Sequence, residues 1–88
     1  MLKIVQRKQF RKDFKAAIKR GKDPRKLFDI LDLLARQQPL PPRCKLHQLT
    51  GNWKNIFDCH IEPDWLLLFT IENDIITLVR TGTHSDLF

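Results

Sequence analysis

All three histidines of this 88-residue chain fall in its second half, at His47, His60 and His84. Asp64 stands four residues after His60, across a Glu62-Pro63 bend, and Arg80 stands four residues before His84. Imidazole gives or takes a proton near neutral pH, a carboxylate acts as base or orients a histidine, and guanidinium is a planar fork for phosphate oxygens. Together these are the groups that phosphodiester cleavage in RNA requires. A base takes the 2′-hydroxyl proton, an acid protonates the leaving 5′ oxygen, and a cation meets the charge building on phosphorus. Trp65 and Phe88 are aromatic surfaces on which splayed bases could stack. The same four donors, His47, His60, Asp64 and His84, could instead bind zinc. Their spacing matches no compact metal motif, so metal-free acid–base chemistry without a cofactor is the expectation. Each residue also has a plainer use: Asp64 capping a turn, Arg80 pairing with Asp58 or Glu62, Trp53 and Trp65 packing in a core. Cys44 and Cys59 show no CxxC spacing. Neighbours on a strand point to opposite faces, which argues against a Cys59–His60 nucleophile pair.

These groups need a scaffold that brings strand ends together. Leu2 to Gln6 alternates like a short strand. Phe10, Phe14, Ala17 and Ile18 then recur at helical spacing over residues 8–20, and Gly21 is a stop. Asp23-Pro24 starts a second helix with Leu27, Ile30, Leu31 and Leu34 on one face, ending near Gln37. The prolines at 39, 41 and 42 predict an irregular linker. Beyond it come strands over Leu46–Leu49, Trp53–His60, Trp65–Ile71 and Ile75–Arg80, with turns at Thr50-Gly51-Asn52 and Asn73-Asp74. Trp65–Ile71 is apolar enough for a strand buried on both faces. The tail 81–88 is polar apart from its end. The order β-α-α-β-β-β-β predicts an α+β domain spanning residues 1–88, with two helices packed on a mostly antiparallel sheet of four to five strands.

Composition narrows the function. Net charge is +6 with a pI near 9.8. Residues 1–45 hold 14 of the 16 Lys and Arg and residues 46–88 only 2, so the first half is the basic one. That asymmetry suits a polyanion or an acidic protein, although a Lys-rich helix surface can also be merely solvated. No apolar run is long enough to span a bilayer, and the first residues lack the pattern of a signal peptide, so the expectation is a cytoplasmic protein without a membrane partner.

Three segments resemble YafQ-type toxins of the RelE superfamily. They are Lys45-Leu46-His47-Gln48-Leu49-Thr50-Gly51-Asn52-Trp53, Asp58-Cys59-His60-Ile61-Glu62-Pro63-Asp64-Trp65 and Arg80-Thr81-Gly82-Thr83-His84-Ser85-Asp86-Leu87-Phe88. The resemblance implies the toxin of a type II toxin–antitoxin pair, RelE-like in fold, that cuts messenger RNA on the ribosome. It implies catalytic roles for His47, His60, Asp64, Arg80 and His84, and RNA contacts at Lys45, Lys54, Trp65 and Phe88. In this reading His84 is the general acid. His60, Asp64 and His47 share the base and proton-positioning work, and Arg80 stabilises the phosphorane. The implied partners are a cognate antitoxin, acidic and partly disordered when free, together with ribosome and mRNA. The toxin–antitoxin complex would bind operator DNA. Two rivals remain on the same basic scaffold: a non-catalytic ParE-like inhibitor of DNA gyrase, which would not need the histidines, and a stand-alone ribonuclease.

Overall fold

The computed structural model describes residues 1–51 and 55–88. Five strands form one sheet in the order β1-β5-β4-β3-β2, with β1 Lys3–Gln6, β2 His47–Gln48, β3 Phe57–Glu62, β4 Trp65–Glu72 and β5 Ile75–Gly82. β1 runs parallel to β5 and the other pairings are antiparallel. Two twelve-residue helices, α1 Lys8–Lys19 and α2 Pro24–Ala35, pack on one face. This is the expected α+β arrangement.

The helix signals act as their chemistry requires. The Asp23 carboxylate accepts from the Arg25 backbone N–H at 3.0 Å, which caps α2, and Pro24 takes the first helical position, where no N–H is needed. Phe10 and Ala17 of α1 and Leu27, Ile30, Leu34 and Ala35 of α2 are buried against Cys59, Ile61, Leu67, Phe69, Ile76 and Leu78 of the sheet. Ile18, expected on the apolar face of α1, stays 38% exposed and outside this core.

The second face of β4 is also buried. Leu66 and Leu68 join Val79 and Leu87, with Leu49 and Ile56 against them. The two-sided burial expected for this strand therefore holds from Trp65 to Phe69, and Ile71 at its far end is exposed.

Boundaries moved where tertiary pairing decided them. α2 stops at Ala35 rather than near Gln37, because Gln37 turns left-handed at φ 58°. The strand expected over Leu46–Leu49 shrinks to two residues, and the prolines feed a 3₁₀ turn at Pro42–Cys44. The run expected to start at Trp53 is strand from Phe57; Asn52, Trp53 and Lys54, with the turn and RNA contact expected on them, lie outside the described residues. β5 continues two residues past Arg80, and the polar tail folds into a four-residue helix, α3 His84–Leu87.

Candidate active site

Alternation along β3 builds the site. Cys59 and Ile61 enter the helix-covered core, so Asp58 and His60 take the opposite face, beside Leu66 and Leu68. β2 pairs His47 directly across from Asp58, which brings that histidine to the same face. A register shift between His60 and Glu62 ends the regular ladder at the turn carrying Pro63 and Asp64.

The third histidine comes from the chain end. Thr83 and Asp86 form a reciprocal capping box: the Thr83 hydroxyl accepts from the Asp86 N–H at 3.1 Å, and the Asp86 carboxylate accepts from the Thr83 N–H at 3.0 Å. That box starts α3 at His84. It needs glycine at 82, since a Cβ there would lie 3.0 Å from both Cβ and Oδ2 of Asp86. α3 is tied back by Arg20 of α1, whose Nη1 donates to Asp86 at 2.8 Å. The Arg20 hydrogen bond, helped by the Thr83 N–H, holds the Asp86 carboxyl down at about 2.

The polar contacts fix the imidazoles. His84 gives both its backbone N–H, at 2.9 Å, and its Nδ1 to Oδ1 of Asp64. Those two hydrogen bonds, the backbone one first, keep the Asp64 carboxyl below the usual range. His60 and His84 lie with ring centroids 5.6 Å apart, inclined by 60°. Nδ1 of His60 lies 3.2 Å from the Pro63 carbonyl, and Nδ1 of His47 lies 3.0 Å from the Lys45 carbonyl. A carbonyl only accepts, so these contacts place the proton on Nδ1 and leave the Nε2 lone pair of each ring open.

Asp58 is the residue that sequence reasoning left out. It is 4% exposed beneath the histidines, and burial pushes its carboxyl up, against the pull of His47, His60 and His84. Its Oδ1 lies 2.9 Å from His47 Nδ1, within ion-pair range. That imidazole is aimed at Lys45, however, and Oδ1 has no hydrogen bond among the described residues. The two groups are close, but the angle between them forms no hydrogen bond. The signal was present in the sequence, since an acidic residue two positions before His60 on a strand must share its face.

Arg80 pairs with neither Asp58 nor Glu62. Its Nε and Nη2 both donate to Asp13 of α1, at 2.9 and 3.0 Å, and the Thr81 N–H adds a third bond at 3.2 Å. β1 stops pairing at Leu78, so the Asp13 carboxylate takes the place of a strand along the rest of this edge. Burial alone would raise the Asp13 carboxyl, but Arg80, Gln9 and Thr81 together hold it below the usual range. A single acid on a basic helix carried no sequence signal for that contact. Glu62 is engaged by Lys22 and Lys26, both at 2.7 Å.

Trp65 must be corrected. Its ring is 1% exposed and its indole N–H donates to the Thr81 hydroxyl at 2.9 Å, so it is core packing that no RNA base reaches. The apolar length of β4 buries both faces, and the first residue goes in with the rest. Lys45 is exposed beside His47, and Phe88 is 58% exposed at the end of α3.

The class is therefore a small α+β protein in which the sheet face opposite α1 and α2, with the short α3 at its end, carries three oriented imidazoles and two carboxylates, and the α1–α2 side is positively charged. Comparison with known proteins narrows it further. The family model for the bacterial toxin of type II toxin–antitoxin systems, YafQ, matches residues 2–88. The mRNA interferase toxin YafQ of Escherichia coli K12 is 44% identical over 81 residues, covering 91% of this chain and 88% of that one. A metal-bound toxin from Helicobacter pylori superposes with a TM-score of 0.95 at 42% identity over the whole of both chains. The E. coli DinJ–YafQ complex gives 0.91 at 42% identity, covering 100% of this chain and 99% of that one. The chain belongs to the YafQ family of type II toxin–antitoxin toxins.

Proposed function

We propose that the protein is an mRNA endoribonuclease that cuts ribosome-bound message by acid–base catalysis, silenced by a cognate antitoxin. The observation that carries the mechanism is the His60–His84 pair, each ring fixed through Nδ1 by a different kind of acceptor. His60, on a carbonyl, offers an Nε2 lone pair and takes the 2′-hydroxyl proton, with His47 the second ring so arranged. The 2′ oxygen attacks phosphorus, and the P–O5′ bond breaks. His84 delivers its Nε2 proton to the leaving 5′ oxygen, with Asp64 as counter-charge for the imidazolium. The products are a 2′,3′-cyclic phosphate and a free 5′-hydroxyl. Asp58 holds negative charge beneath the rings. Arg80, whose Nη1 is not engaged by Asp13, meets the charge of the phosphorane.

Among the described residues, no three His, Cys, Asp or Glu side chains are grouped to hold an ion. The three Nδ1 atoms are turned to Lys45, Pro63 and Asp64.

Substrate and partners follow from charge. The lysines and arginines of α1 and α2 fit ribosomal RNA phosphates, and Lys45, Lys54 and Phe88 are the proposed contacts to the message. A cognate antitoxin is expected because the similar E. coli toxin is found in a DinJ–YafQ toxin–antitoxin complex; an acidic one would cover part of the same side, and the pair would bind operator DNA. No helix among the described residues is long and apolar enough to cross a membrane, in keeping with action on ribosomes. The test is cleavage mapping of a defined message on programmed ribosomes and in free solution, with toxin pre-treated with chelator. Discrete A-site cuts indifferent to chelator are expected. Equal cutting of free RNA would make it a stand-alone ribonuclease. Growth arrest without any cut would turn the assignment to gyrase inhibition.

A further inference from the structure

A groove of about 550 Å³ opens beside the site, between α2, the proline loop and the end of β3. His60 forms one wall of it, so it is continuous with the reacting groups. Leu33, Pro41 and Pro63 supply apolar sides. Arg43 and Lys45 stand on its rim without an ionic partner among the described residues, whereas Lys26 is committed to Glu62. Asp29 also lines it, exposed, with the Arg25 charge near it but no hydrogen bond of its own among the described residues. An apolar slot of this size with a few convergent polar groups has the build of a small-ligand site.

We propose that this groove seats the base of a nucleotide flanking the cleaved phosphate and selects bases carrying an exocyclic amine. The proposal rests on the ribonuclease reading. The chain of an RNA substrate must leave His60 in some direction, and here is a basic-rimmed slot that begins at that ring. The Arg43 and Lys45 cations meet the neighbouring phosphates. The Asp29 carboxylate only accepts hydrogen bonds, so it favours the amines of adenine, guanine or cytosine and opposes the carbonyl edge of uracil. An acidic peptide would also satisfy the rim, but it would gain nothing from Asp29 or from contact with His60.

The test uses the intact toxin and three probes: adenosine 3′-monophosphate, uridine 3′-monophosphate and inorganic phosphate. Backbone amide shifts are followed by NMR. The adenosine nucleotide is expected to move resonances at 29–33, 41–45 and 60–63, the uridine nucleotide more weakly, and phosphate only those near the rim cations. Leu33→Trp fills the slot and should abolish the nucleotide shifts. On programmed ribosomes it should raise KM about tenfold with kcat nearly unchanged, the signature of lost binding rather than lost chemistry. Should Leu33→Trp not fold, Arg43→Glu on the exposed rim tests the same KM effect. Phosphate reproducing the adenosine shifts, or Leu33→Trp cutting with wild-type KM, overturns the proposal. If Leu33→Trp also releases an antitoxin peptide that wild-type toxin holds, the groove is a protein-docking site. Nucleotide shifts in the groove of a wild-type protein that cuts no RNA would sink the ribonuclease reading while leaving the nucleotide seat.

Discussion

The two faces of β3 are made from consecutive residues and do opposite things. Cys59 and Ile61 are sealed against the helices, and burial pushes the Cys59 thiol up to about 12, so it is inert as a nucleophile. Asp58 and His60, one residue away in each case, belong to the polar cluster. On the covered face each residue is held by many weak apolar contacts, and loss of one costs stability. On the other face each imidazole is held by one or two directed hydrogen bonds, and loss of one costs orientation. Stability and chemistry are thus separated by the two-residue period of a strand.

Mutation can break that comparison most sharply at His84. Its side chain is 54% exposed, so His84→Gln should leave the melting temperature near wild type. Single-turnover cleavage should fall about 10²–10⁴-fold, with the high-pH limb of the pH–rate profile, where a general acid loses its proton, gone. A variant that keeps both limbs removes His84 from the acid role. The opposite case is Leu67→Ala, at a residue with no exposed surface. Denaturant titration should show a loss of about 2–5 kcal/mol, while the folded fraction cuts RNA normally.

Asp13 crosses the two categories, since it is a structural carboxylate that holds Arg80. Asp13→Asn keeps the shape but loses the charge of the fork, and cleavage should fall about tenfold at unchanged KM. Unaltered kcat with a lower melting temperature would return the contact to structure alone.

Asp58 gives a test of sign. Burial raises its folded-state pKa above the usual 3.8. Its contribution to stability is therefore full below the unfolded value and lost as pH rises through the folded one. Asp58→Asn escapes that loss, so at neutral pH its melting temperature should exceed wild type while its cleavage rate drops. A lower melting temperature would mean that the histidines carry compensating charge. The smallest effect is expected at Asp86. Its carboxyl, depressed to about 2, supports α3 above the unfolded pKa and loses that support as pH falls from 3.8 towards 2. Hydrogen exchange at residues 84–88 should quicken only in that range, and Asp86→Asn should show the faster exchange already at neutral pH.

The elements were legible where local chemistry set them. Asp23-Pro24 announces a helix start, Asn73-Asp74 a turn, and the apolar run after Pro63 a strand buried twice over. The histidines stood out because few residue types do proton chemistry near neutral pH. Trp65 misled because an aromatic beside a candidate catalytic acid reads as a stacking surface, whereas its position at the head of a doubly buried strand decides its fate. The polar tail carried no helix signal because a four-residue helix leaves no period to detect. Only the Thr83–Asp86 box and its Arg20 anchor make it fold.

Sequence alone determined the order of the elements, the separation of basic helices from the histidine-bearing strands, and the face on which Asp58 and His60 lie. Those follow from properties within a few residues of each position: caps, turn residues, charge and a period of two or 3.6. Tertiary structure alone decided that β1 lies beside β5, that Asp13 on a helix clasps Arg80, and that Asp64 and His84, twenty residues apart, share one hydrogen-bonded site. Contacts at that range depend on how the elements pack. A backbone can bring any two of its segments together, and no local pattern records which pair it has chosen.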